Sequence, residues 1–418
     1  MTTTENPSES GQVMVFLVIA VVVLLGFAAL AIDGGMVYSD RRHAQNASDA
    51  ASLAGGAAAA LTFENEGVTY SNWNCSSSGV LIAEQDAING AIDRAASNDF
   101  TIDDDLADAN GVTTTCGETD MGGYTDKHLD ITVNISSTTD TAFAHFVYNG
   151  PLRNQVEAVT RVRPRSPLAY GHAIVALNDA DCSGNQNGAI FGGSSEVTVN
   201  GGGIWTNGCL RGTGGAYDVS VTGGSVNYAG MTSGTMNFDP PETNVPDSLP
   251  PSSYAVPTPD CSDPSAHNVV NLTLHNGTLD LSPGLWCVSG QVRINGGTFT
   301  GTGITIYLPT GDVTISGNAD VSLASAGRDP DPSPAIAGVL FYVAEGDVDL
   351  EGNNDSNYLG LVYAPNGTIK ARGTSGTEPT FHTQFIGWNV DVSGNANIDI
   401  NFDMGEEYTK PAAIELYK

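Results

Sequence analysis

The sequence predicts an α+β chain dominated by β structure. A long N-terminal helix of the transmembrane kind leads into a small α+β domain, and a right-handed parallel β-helix follows, with a β-sandwich as the alternative. Three observations predict this. Residues 13–32, VMVFLVIAVVVLLGFAALAI, form an apolar run without a charge. A helical stripe near residues 80–98 precedes a strand-like alternation at 129–135. From residue 168 onward an apolar-x-apolar-x-Gly-Gly/Asn pattern recurs, beginning at 197, 219, 292, 313, 348 and 390.

Twenty helical residues rise about 30 Å, the thickness of a bilayer's hydrocarbon core. Lipid offers no partner for free N–H and C=O groups, so a lone apolar segment there must be a helix. MTTTENPSES, before the run, has no Lys or Arg, unlike the basic start of a cleaved secretory signal. Residues 1–10 are therefore expected as a cytoplasmic leader, with Gly11-Gln12 as the candidate processing site and the helix retained. The alanine-rich stretch after the run extends the helix, which is expected over 11–61, because alanine is the best helix former. Asp33-Gly34-Gly35 is expected to loosen it at the membrane exit. Arg41 and Arg42 follow the span closely, which alone would favour a cytoplasmic C-terminal side. Six cysteines and an acidic body argue for the opposite, extracytoplasmic side.

The chain carries 15 Lys and Arg against 47 Asp and Glu, a formal net charge of −32. Such a surface repels nucleic acid and anionic headgroups and favours solubility. Fifty glycines and 7% aromatics suit a turn-rich β body. Cys75, Cys116, Cys182, Cys209, Cys261 and Cys287 are an even set, which outside the cytoplasm favours disulfides. Their grouping suggests Cys75–Cys116, Cys182–Cys209 and Cys261–Cys287, although fifteen pairings are open in principle. No metal-type Cys/His spacing occurs, and neither a metal nor a cofactor is expected.

Residues 62–165 read as the small α+β domain. A helix is expected over Val80–Asn98, with Leu81, Ile82, Ala87, Ile88, Ala91, Ile92 and Ala95 as its apolar stripe. HLDITVNIS alternates Leu129, Ile131, Val133 and Ile135 with polar residues and reads as a strand. TAFAHFVYNG reads as a short helix or turn, and NQVEAVTRVRP as a second strand ended by Pro164. Asp103, Asp104 and Asp105 form an acidic cluster, best read as a solvated loop.

Residues 166–404 read as the Gly/Asn-rich solenoid. Several offsets between pattern copies lie near one or two units of 21, and a fixed step of that size marks stacked repeats. Each copy offers a short strand, then a turn where glycine accepts positive φ. The Pro-rich segment 238–263 is the main insertion, an extended surface loop, since prolines so dense cannot lie in a central strand. DPDPSP at 329–334 is a shorter one, and 405–418 is the C-terminal tail.

The block GQVMVFLVIAVVVLLGFAALAIDGG followed by RRHAQNASDAASLAGGAAAA resembles the N-terminal region of TadE/TadG-like Flp (tight adherence) pilus-assembly proteins. Leu129–Arg163 is similar to the strand–helix–strand of that family, and GVLFYV, YLGLVYAP, FIGWNV and VSGNANIDINFD to the β-solenoid tail of TadG-related surface proteins. The resemblance implies a pilin-like first domain and a membrane-anchored, non-enzymatic component of a pilus or surface filament. The partners it implies are the membrane, other pilus or secretion-system components and copies of the chain itself. The sequence departs from the family in having Gln12, Val13, Met14 and Val15 where Glu is usual, and in lacking an Asp-x-Ser-x-Ser metal motif.

Two other functions compete. An adhesin would bind glycans or a solid surface through aromatics such as Trp205, Tyr217, Tyr228 and Trp388. A polysaccharide-cleaving enzyme would need a carboxylate pair over a cleft, drawn from Asp347, Asp349, Asp355, Asp391 and Asp399; Asp349 and Asp391 alternate with apolar residues as ordinary outward strand positions. Asp179-x-Asp181-x-Ser183-Gly184 resembles the start of a calcium loop, but Ile190 stands where Glu is required.

Overall fold

A computed structural model describes residues 10–104, 110–143, 150, 152–184, 187–193, 196–214, 218–235, 237–316, 318–328, 332–352, 356–373 and 380–417. The chain divides into two compact units. One comprises Met1–Glu118, Lys127–Arg165 and Ala412–Lys418, and the other Thr119–Asp126 and Ser166–Pro411.

In the first unit, helix α1 runs unbroken over Ser10–Asn65. The expected loosening at Asp33-Gly34-Gly35 does not occur. Each glycine costs a helix only about 1 kcal/mol, and the apolar and alanine-rich flanks carry the backbone ladder through. Gly67, at φ +64°, lies just beyond the C-terminal end, and the Val68 N–H donates back to the Phe63 carbonyl at 2.8 Å.

Helix α2, Ser78–Ala96, is capped by the Ser77 side chain. Its buried face is Val80, Ala83, Ala87, Ala91 and Ala95, whereas Leu81 and Ile82 are exposed. Of the expected stripe, Ala87, Ala91 and Ala95 are thus buried and Ile88 and Ile92 pack partly buried against the core, while Leu81 and Ile82 depart from it, and the reason is steric. A Cβ on Gly55 of α1 would lie 2.7 Å from the Ala87 carbonyl oxygen, and one on Gly90 would lie 3.2 Å from that of Ala54. Helices this close admit only alanine and glycine between them, so the larger side chains turn outward.

Three strands, β1 (Gly111–Asp120), β2 (Thr125–Thr139) and β3 (Leu152–Arg163), form a sheet with the C-terminal strand Ala413–Leu416, in that order. β2 and β3 pair antiparallel from Leu129↔Val162 to Thr139↔Leu152. Leu129, Ile131, Val133 and Ile135 are fully buried against the helices, as their alternation requires. The segment expected as a tail instead supplies strands: Ala413–Leu416 pairs with β3, and Thr409–Lys410 pairs with Ser166–Pro167. Most of the TAFAHFVYNG segment lies outside the described residues.

The second unit is a large parallel sheet. Among its described residues the chain makes nine three-strand rungs. The first is His172–Ala176, Ala189–Gly193 and Val197–Asn200; the second and third span 203–222 and 226–239. The fourth to ninth span 267–281, 284–302, 304–325, 339–359, 361–382 and 385–401. Corresponding strands of neighbouring rungs pair in parallel, which gives three ladders. In the middle ladder, for example, Leu272, Val292, Val313, Val348, Ile369, Val390, Ala189 and Leu210 are successive register partners. All eight are buried in one core. Parallel pairing throughout this sheet rules out the β-sandwich alternative, whose sheets are antiparallel.

The order of rungs differs from the order of the chain. The ninth rung pairs with the first through Phe385↔Ile174, Val390↔Ala189 and Ile398↔Val197. The stack therefore reads four to nine, then one to three, and the third and fourth rungs lie at opposite ends. The Pro-rich segment after the third rung joins those ends. Its Val245, Leu249 and Val256 are buried with Val175, Trp205, Leu285, Tyr307, Tyr342, Tyr363 and Ile386, side chains from strands of one ladder. That ladder is thus covered on both faces, which explains why His172–Ala176 and Val339–Val343 are buried at every residue. Cys261–Cys287 ties this strap to the fifth rung.

Among the described residues of this unit, His172 and Glu407 are enclosed titratable groups. Burial holds the His172 imidazole down to about 4, so it is neutral, and its Nδ1 lies 2.7 Å from the Ala169 carbonyl oxygen. Burial raises the Glu407 carboxyl well above its usual 4.5, against the pull of the Gln384 backbone.

Leu249→Ala should lower the unfolding free energy by about 2–4 kcal/mol, read from urea denaturation; an unchanged midpoint would show that the strap carries no packing. For Glu407, the folded state holds an extra proton between the unfolded and the raised folded value, so stability falls as pH rises through that interval. Glu407→Gln removes this loss, which amounts to about 1.4 kcal/mol for each pH step of one across the interval. Thermal melts should show the variant's advantage growing as pH rises above 4.5, and a pH-independent difference would refute it.

Candidate functional site

The site with the clearest chemistry is α1 itself. From Val13 to Ile32 its large apolar side chains stand outward; Phe16 and Leu30 are each 70% exposed. A continuous apolar surface of this size is not left in water by soluble proteins. The helix is long and apolar enough to cross a membrane, and none of its most apolar window is buried.

Beyond the apolar run the same helix is pinned to the sheet by short polar side chains. The Asp33 carboxylate accepts the backbone N–H groups of Ala142 and Phe143 at 2.8 and 3.1 Å. Asp40 accepts from the Thr139 hydroxyl at 2.8 Å. The Ser48 hydroxyl donates to the Val133 carbonyl at 2.8 Å, and that of Thr160 to the Ser52 oxygen at 2.9 Å. Between these pins Ala44, Ala47 and Ala51 are buried, and beyond them Ala59. A Cβ on Gly56 would come within 2.6 Å of the Thr160 methyl group. The stretch QNASDAASLAGG is thus the face that lets a helix backbone lie on a sheet. Its polar pins were not singled out from sequence, although Asp33 and Asp40 stand seven residues apart, two helical turns on one face.

Gly11 and Gln12 lie in the first turn of α1. His43 is exposed, its ring 5.3 Å from that of Phe100. The cysteines pair as Cys75–Cys116, Cys182–Cys209 and Cys261–Cys287. Cys75–Cys116 holds β1, a strand that its polar sequence does not announce.

The described carboxylates considered for catalysis lie in or beside the strands. Asp347 accepts the Thr368 N–H at 2.8 Å, and its own N–H donates to Asp312 at 2.9 Å, so these side chains cap one rung with the next. Asp349 and Asp391 flank Lys370 as register partners, and Asp349 lies 3.5 Å from Arg372. Burial comes first among the causes that raise the Asp349 carboxyl, and it outweighs the neighbouring Arg372 and Lys370. Asp399 is a strand residue opposite Thr198. Asp181 closes a turn on Ser183, whose side chain first and whose N–H at 3.0 Å second lower its carboxyl. Among the described residues no three His, Cys, Asp or Glu side chains converge as metal ligands. Asp105, Asp355 and Tyr217 lie outside the described residues.

Of the aromatics considered for glycan stacking, Trp205 is only 1% exposed, packed at 5.2 Å from His172, and so is not a surface residue. Tyr228 is half-buried, and Trp388 is 40% exposed. Most aromatic stacking turns inward, as in Tyr358–Phe381 at 5.4 Å.

No curated protein and no solved structure matches the chain. Residues 11–59 match the family model described as putative Flp pilus-assembly TadE/G-like. The apolar run, its exit and the alanine-rich face just described all fall within that match. Residues 11–59 thus carry a TadE/G-like pilus-assembly match on a membrane-spanning type of helix, which supports a pilus-associated membrane component.

Proposed function

We propose that the protein is a non-enzymatic, single-pass structural or assembly component of a tight-adherence-type pilus or cell-surface filament. In this reading α1 stays in the membrane after processing at Gly11-Gln12, and an acidic, right-handed β-solenoid stands outside the cell. The carrying observation is the continuity of α1 from the apolar run into the pinned face, all within the TadE/G-like match. A helix docked in this way is an anchor and not a disposable leader.

Other observations support the reading. Three disulfides belong to an oxidising compartment. A net charge of −32 suits an exported, soluble surface. Three parallel ladders closing each rung are the pairing that a solenoid requires. The carboxylates that cap rungs and face basic side chains favour a passive body. Trp388 alone of the described aromatic candidates keeps a broad exposed face, so the adhesin reading has less to stand on than the structural one.

Protease added to intact cells should remove a C-terminal epitope and leave a membrane-bound stub; full protection would place the body on the cytoplasmic side. N-terminal sequencing of the mature chain should begin at Gln12, and a start at Met1 would rule out cleavage after Gly11.

A further inference from the structure

The first unit carries an apolar notch that neither the pilus-assembly match nor the proposed function assigns. Gly26, Ala29, Leu30, Asp33, Gly34 and Val37 of α1 line one side, and Phe143 and Leu152 of the sheet's loop end line the other, around about 520 Å3; Asp33 is its one charged residue. Phe143 remains 43% exposed although the helix lies beside it. The backbone at this loop is fixed by the Asp33 carboxylate, whose oxygens receive the Ala142 and Phe143 N–H groups. The loop end is thereby held at the level of the helix's exit from lipid.

Depth follows from helix geometry. Asp33 directly follows the apolar run, and Gly26 lies seven residues further back, about 10 Å along the axis. The headgroup zone on each side of the hydrocarbon core is about 5–8 Å thick. With the run filling that core, the notch from Gly26 to Asp33 lies in the upper acyl region, continuous with a helix surface that lipid already covers. Val37, four residues or about 6 Å further on, reaches the headgroup zone. Glycine at 26, with open space around its Cα, leaves a recess rather than a ridge.

We propose that this notch is a lipid-binding surface: Phe143 and Leu152 dip into the adjacent leaflet beside α1, and a phospholipid acyl chain fills the recess over Gly26 and Leu30. The first unit then sits on the membrane and does not hang from it on a free stalk. The proposal rests on α1 being the membrane span.

The test uses the full chain in phospholipid nanodiscs. Three variants, Phe143→Trp, Leu24→Trp in mid-span and Leu416→Trp on the C-terminal strand, are read as the emission added to that of the four native tryptophans. Lipids brominated near the headgroup end of their chains should abolish most of the Phe143→Trp emission and leave that of Leu416→Trp intact. Bromines near the bilayer centre should quench Leu24→Trp instead. If Leu24→Trp is quenched while Phe143→Trp responds only to aqueous acrylamide, the notch faces water and the proposal fails with the span intact. Shielding of Phe143→Trp from both quenchers would give the notch to another protein helix and equally overturn it. An unquenched Leu24→Trp would remove the membrane span and the proposal together.

Discussion

Parallel strands buried on both faces are stable only when each has a neighbour on either side, because their N–H and C=O groups point along the stack. In this protein that requirement is met at the middle of the large sheet by residues far apart in sequence. Phe385–Gly394 and Ile398–Asn401 pair with His172–Ala176, Ala189–Gly193 and Val197–Asn200. Without that seam the body would be a stack of six rungs and a stack of three, each with one more open edge. The strap, the disulfide at Cys261 and the return of the chain after the ninth rung all depend on it. Contacts across so many residues are slow to form, and the seam cannot close until almost the whole chain has been made.

The repeat was legible because its physical cause is local. An inward pair of apolar side chains followed by a glycine turn is visible in one copy, and Gly201 and Gly223 do adopt positive φ. The spacing was only half legible. The step from Val348 to Val390 hides a rung at Ile369, whose sequence IKARG lacks the Gly-Gly/Asn turn, and the step from Val313 to Val348 carries the loop with DPDPSP. The copies at 197 and 219 belong to a different ladder from the other four. Rung order was not legible at all, since inward Val, Ile and Leu pair equally well with any other rung.

The site was readable in the same uneven way. A charge-free run of twenty residues announces its solvent without any tertiary information. The alanine- and glycine-rich stretch after it could be read as helix, but not as a docking face. That role depends on how closely α2 and β3 approach, at Gly55 and Gly56. The same closeness leaves Leu81 and Ile82 outside the buried face of α2, which keeps the expected alanines and adds Val80 and Ala83. β1 escaped notice because Cys75–Cys116 and an edge position hold a polar strand that has little burial of its own.

The seam between the ninth and first rungs can be tested by hydrogen exchange on the full chain, resolved to short peptides. Residues 385–401 should exchange as slowly as 361–373 and open together with 172–200, as strands paired on both sides do. Exchange of both 385–401 and 172–200 as fast as that of 267–281, the rung at an end of the stack, would mean that the seam is not formed and that the rung order described above is wrong.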